Sequence, residues 1–175
     1  MKKLLVILLL FFPINSVLSK NTEEVFVKLF STVCISNIND LNKIKTIAKT
    51  NNWKDAPKEV LTFVSPTVKG SEYKGWVLKE EKYYVIMINK AENTNVCTIN
   101  HRFKKSEEKA DINNIINILK RNYKINLIKD EIEGYQRWID FDAEVSTIGK
   151  VGIIIQYGET SKGNTIINLH SHFKY

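Results

Sequence analysis

Glycine, proline, cysteine and arginine are all scarce in this chain, and each scarcity excludes something. The seven glycines are scattered, so neither a dinucleotide-binding G-x-G-x-x-G nor a P-loop is present. No G-x-S-x-G and no H-E-x-x-H occurs, which removes the nucleophile elbow and the common zinc-protease motif. Three prolines, no internal repeat and no low-complexity linker leave no candidate domain boundary. Arg102, Arg121 and Arg137 are the only arginines, so the formal net charge of +7 rests on lysine. Lysine in a chain rich in Ile and Asn makes a solvated surface more readily than a reading head. The densest basic stretch, HRFKKSEEK at 101–109, is broken by two glutamates. No nucleic-acid partner is expected.

Long apolar runs are also missing, with one exception. Lys2 and Lys3 precede an unbroken apolar stretch, Leu4 to Phe12, and Pro13 ends it. About nine residues fall well short of the ~20 that span a bilayer. A basic n-region, a short apolar core and small residues at Val17 and Ser19 read as a removable export signal. Cleavage is expected after Ser19, with Ser16 as the second choice. Residues 1–19 are thus assigned to a signal peptide and 20–175 to a single domain. Loss of Lys2 and Lys3 would lower the net charge to +5. The expected location is the periplasm or outside the cell, with no membrane insertion after cleavage.

Cys34 and Cys97 are the only cysteines. Cys34 lies about twenty residues beyond the apolar run, too far for a lipoprotein anchor. The two are too widely spaced for a C-x-x-C redox pair and too few for a structural zinc site. An even count in an exported chain reads as a disulfide. A nucleophilic cysteine served by one of the three histidines is the sharper alternative. The bridge is the expectation, worth about 4 kcal/mol on the chain-entropy model.

Period-3.6 patterning predicts a helix over 22–33, with Val25, Phe26, Leu29, Phe30 and Val33 inward. A second helix is expected from about Asp40 to Thr50, capped by Asn39 or Asp40 and closed by Asn51 and Asn52. A short third turn is expected from Pro57, carrying Val60, Leu61 and Phe63. The period then changes to 2, with strands expected at 73–79, 82–89 and 95–103. SEEKADINNIINILKRNY, 106–123, is the clearest helix, with Ile112, Ile115, Ile116 and Leu119 on one face. Four more strands follow, near 125–132, 135–146, 150–158 and 164–173. The fold class is α+β: an antiparallel sheet of about six to seven strands, helices on one face and one disulfide.

In the strand at 135–146, Ile139, Phe141, Ala143 and Val145 share one face, and Trp138, Asp140, Asp142 and Glu144 share the other. Acids beside a tryptophan suit a protein-docking surface; the plainer reading is a sheet face kept soluble. His170 and His172, two apart on a strand, point the same way and are candidates for a metal site. A third ligand would have to come from Asp140, Asp142 or Glu144. In a simple meander the strand at 150–158 lies between, at about 9.6 Å for two strand spacings. No metal and no cofactor is expected. His101, at a strand end beside Arg102, is a lone acid–base candidate without an evident orienting partner. Trp53 and Trp76 are expected to pack at the core or its edge.

VFVKLFSTVC, the helix ending NNW, PKEVLTF, KGWVL and NVCTI together resemble a family of exported, mostly uncharacterised proteobacterial proteins. The resemblance covers residues 26 to 100 and is carried by Phe30, Cys34, Trp53, Pro57, Phe63, Trp76 and Cys97. It implies export and the bridge, and it brings no catalytic residue.

The sequence therefore points to a non-catalytic binding module, an accessory or immunity-like protein acting through its surface on another exported protein. The alternatives are a metal-binding or hydrolytic protein using His170 and His172, and a secreted host-directed factor whose charge seeks anionic surfaces.

Overall fold

The computed structural model describes residues 22–58, 61, 72–78, 83–90, 94–103, 111–159 and 163–174. The expected signal peptide, and most of the turn expected after Pro57, lie outside these. So do residues 104–110, but Asp111 is extended and caps a helix that begins only at Ile112, so the helix expected over 106–123 is corrected to a later start.

Helix α1, Thr22–Leu29, runs into a π-helical turn, Phe30–Cys34, and a 3-10 turn, Ile35–Asn37. The uninterrupted helix expected over 22–33 is thus broken at Phe30. The Ile35 N–H reaches back five residues to the Phe30 carbonyl, and Ser36 Oγ reaches back five to the Ser31 carbonyl at 2.9 Å. The extra residue in this turn lets Phe30, Val33, Cys34 and Ile35 all face inward, where they are buried. Helix α2 is Leu41–Thr50, and Asp40 caps it by accepting from the Asn42 N–H. Asn52 closes it at φ 51°, the left-handed conformation that asparagine tolerates. Trp53 N–H then bonds the Ala48 carbonyl at 2.9 Å.

The strands are β1 (Lys54–Asp55), β2 (Glu72–Val77), β3 (Tyr83–Lys90) and β4 (Thr94–Phe103). Helix α3 (Ile112–Asn122) follows. The chain ends in β5 (Lys124–Glu133), β6 (Gln136–Val145), β7 (Gly149–Glu159) and β8 (Thr165–Lys174). All eight form one antiparallel sheet in the order β1-β2-β3-β4-β8-β7-β6-β5. The expected six to seven strands is therefore corrected; a two-residue strand such as β1 carries no periodicity to read. The order shows two four-strand meanders, each preceded by helix and joined at β4 and β8. This is a topological repeat without a sequence repeat.

Register assigns the faces. Cys97, Ile99, Leu169, Ile155, Ile153, Ile139, Phe141, Ala143 and Val151 share one face and form a single apolar cluster with Phe26, Phe30, Ile44, Ile115 and Leu119 from the helices. The helices thus pack on that face. α1 and α3 are joined at their rims, where Glu23 accepts from the Asp111 N–H at 2.9 Å and Arg121 pairs with Glu24 at 3.5 Å. The disulfide Cys34–Cys97, 63 residues apart in sequence with a Cα–Cα distance of 5.2 Å, ties the π-helical turn to β4. β4 is central, so the bridge pins the helices to the middle of the sheet and not to its rim. Nearby, Asn95 donates to the Ile38 carbonyl at 2.7 Å.

Candidate functional site

The opposite face of the sheet is polar. Rows of paired residues cross β4, β8, β7 and β6 in turn: Asn100, Asn168, Gln156 and Trp138 in one; Thr98, His170, Ile154 and Asp140 in the next; Val96, His172, Gly152 and Asp142 in the third. Near the strand centres these polar groups are buried, with Thr98 and Asn100 fully so and Asn168 and His170 nearly so. Buried polar groups must find partners, and here they find each other.

Four carboxamides run head to tail across four strands. Asn100 donates to Asn168 at 2.6 Å, Asn168 to Gln156 at 2.7 Å, and Gln156 to Gln136 at 2.9 Å. The Oδ1 of Asn100, at the head of the chain, is buried without a hydrogen-bond partner. Gln156 Oε1 accepts from Asn168, so it also serves as acceptor for the Nε2–H of His170 at 3.3 Å. His170 Nδ1 is then the lone-pair nitrogen, accepting from the Thr98 hydroxyl at 2.8 Å. Both ring nitrogens are thereby engaged by protein groups.

Trp138 lies on this support. Its ring stacks on the His170 imidazole, with centroids 6.4 Å apart and planes 15° from parallel. The tryptophan is half-buried, while Asp142 and Glu144 beside it are exposed and Asp140 is partly so. Glu144 pairs with Lys124 at 3.1 Å. On β5, Lys129 holds Glu131 at 2.6 Å; that bond, and to a lesser degree the nearby Asp140, raises the lysine's pKa. The alternation expected for β6 is present, with Ile139, Phe141 and Ala143 buried on the helix side.

The strand at 149–159 does lie between the acids and the histidines. It separates the two rows differently. Ile154 stands between Asp140 and His170, whereas Gly152 stands between Asp142 and His172. With no side chain at 152, the His172 imidazole lies over β7, in space a Cβ there would occupy. Among the described residues, no group of three or more His, Cys, Asp or Glu is placed to hold a metal ion.

His101 is elsewhere. It is buried on the helix side, 5.9 Å from the Phe26 ring. Trp76 is buried in the core and Trp53 packs at its edge. Sequence reasoning missed Thr98, Asn100, Gln136, Gln156 and Asn168. The available signal was a carboxamide or hydroxyl recurring at alternate positions of strands otherwise rich in isoleucine.

The disulfide points to an oxidising, non-cytoplasmic compartment. Among the described residues no helix is long and apolar enough to cross a membrane. Comparison of the chain with protein-family models, with curated proteins and with solved structures finds no match to any of them.

Proposed function

We propose that this chain is a periplasmic or secreted binding protein that docks another exported protein through the rim of its polar sheet face, with no covalent step of its own. The observation that carries this reading is the half-buried Trp138 ring set near-parallel beside His170, which Thr98 and Gln156 hold in turn. A large aromatic side chain fixed in advance loses little entropy on binding, and tryptophan is enriched where binding energy concentrates. Asp140, Asp142 and Glu144 line the same strand and favour a partner with a basic contact patch. The disulfide, and the apolar stretch Leu4 to Phe12 behind Lys2 and Lys3 read as an export signal, support the compartment.

The test is capture of the mature, disulfide-bonded protein from its native envelope, with Trp138→Ala and Asp140→Ala run beside the wild type. A stoichiometric partner that is lost from the variants, while both keep their thermal transition, supports the reading. Equal capture by all three proteins removes this face from consideration.

A further inference from the structure

Strand β5 ends the sheet, paired with β6 on one side and, among the described residues, with no strand on the other. Every residue of it except Ile125 is exposed. The large exposed apolar side chains of the described residues are Leu127, Ile128, Ile132 and the adjoining turn residue Tyr135, at 59%, 62%, 77% and 91% exposure. An open edge carrying apolar side chains is a template for another strand. The pattern of β5 specifies which strand.

Before Ile128, the even-numbered Lys124 and Asn126 pair with Glu144 and Asp142 on the polar face, while Ile125 and Leu127 pair with Ala143 and Phe141 on the helix side. The register shifts between Leu127 and Lys129, leaving Ile128 as the bulged residue. Beyond it the assignment inverts. Lys129, Glu131 and Glu133 pair with Asp140, Trp138 and Gln136 on the polar face, and Asp130 and Ile132 with Ile139 and Arg137 on the helix side.

A second copy of β5 laid antiparallel across a twofold axis must set each residue against one of the same face. An unbroken strand meets this only when paired residues are an even number apart. The bulge changes the rule, because residues on either side of it share a face when they are an odd number apart. The register centred on Ile128 and Lys129 then places Lys124 opposite Glu133 and Ile125 opposite Ile132, each twice by symmetry. Unlike charges meet on the polar face and isoleucines on the other. This register also sets Leu127 against Asp130; a two-residue slip one way moves that acid opposite Ile125 and loses the paired isoleucines, and the other way carries Lys124 past the end of the strand. Two further features favour this register. Asp130 is already neutralised by Arg137 at 2.7 Å, and the Lys124 side chain keeps 72% of its surface exposed beside Glu144.

We infer that the protein forms a twofold dimer through β5, joining two eight-stranded sheets into one, with Lys124 of each copy against Glu133 of the other. Sedimentation of the disulfide-bonded mature protein over a wide concentration range tests it. The expected result is a monomer–dimer equilibrium that Lys124→Glu weakens about tenfold or more, since two favourable contacts become two repulsive ones. Glu133→Lys is expected to weaken it similarly, and the charge-swapped double variant Lys124→Glu, Glu133→Lys to restore it. All these positions are exposed, and circular dichroism of each variant checks the fold. A protein monomeric throughout, a dimer indifferent to Lys124→Glu, or a double variant that fails to recover would each overturn the inference. So would a chain that stays monomeric alone and takes up another protein's strand at β5.

Discussion

The imidazole of His172 occupies the space over Gly152, in the row that ends across β7 at Asp142. Alanine at 152 would overlap that ring, and the ring, at the end of a two-torsion side chain, has to swing away. Gly152→Ala is expected to lower stability modestly and to change the His172 ring resonances in an NMR spectrum. In a His172→Ala background the same change is expected to cost much less. A double-mutant cycle should give a coupling of about 0.5–3 kcal/mol, and strict additivity would show that the two positions do not contact.

Gln156 sits at the junction of the carboxamide chain. Its loss leaves Asn168, His170 and Gln136 each short of one partner. An orphaned buried polar group costs about 1–3 kcal/mol, so Gln156→Leu should destabilise by roughly 2 kcal/mol or more. Gln136→Ala, at the end of the chain, is expected to cost less. Urea midpoints at unchanged slope provide the comparison.

Breaking the bridge should be costlier than either. Replacing both Cys34 and Cys97 by alanine reopens a loop spanning 63 residues, worth about 4 kcal/mol in the unfolded chain. Reduction of the wild type should bring its urea midpoint to that of the double variant. A reduced protein as stable as the oxidised one would contradict this.

The Asp130–Arg137 pair has a predictable pH signature. Arg137 donates twice to the Asp130 carboxylate, at 2.9 and 2.7 Å, and these bonds hold the carboxyl below its ordinary pKa. A carboxylate with a depressed folded-state pKa contributes stability above its unfolded pKa, and that contribution is lost as pH falls through the folded value. The pair is more than a third exposed, so its worth is under about 1 kcal/mol. Asp130→Asn is expected to melt slightly below the wild type at neutral pH and together with it in acid.

Much of the architecture was legible because it is local. The alternation in QRWIDFDAEV marks β6 and both of its faces, and the stripe of Ile112, Ile115, Ile116 and Leu119 marks α3. The strands from 73 onward were bounded nearly as they stand. The π-helical turn at Phe30–Cys34 was not legible. A 3.6-residue pattern continues through it, and the extra residue is set by burying Ile35 in the core while Cys34 bridges to β4.

What the sequence determined by itself is whatever depends on neighbours a few residues away: the helix cap at Asp40, strand periods, the split faces of β6, and the presence of two cysteines able to pair. Only the tertiary structure decided what depends on strand order. Pairing β8 with β4 is a contact between distant segments and sets Asn100 beside Asn168 and Thr98 beside His170, while the β6–β7–β8 meander brings Gln156 beside Gln136 and the ring of Trp138 to His170. Each of those residues, read singly, is an ordinary polar or aromatic position on a strand. Burial makes them a single network, because polar groups removed from water are stable only when they satisfy one another.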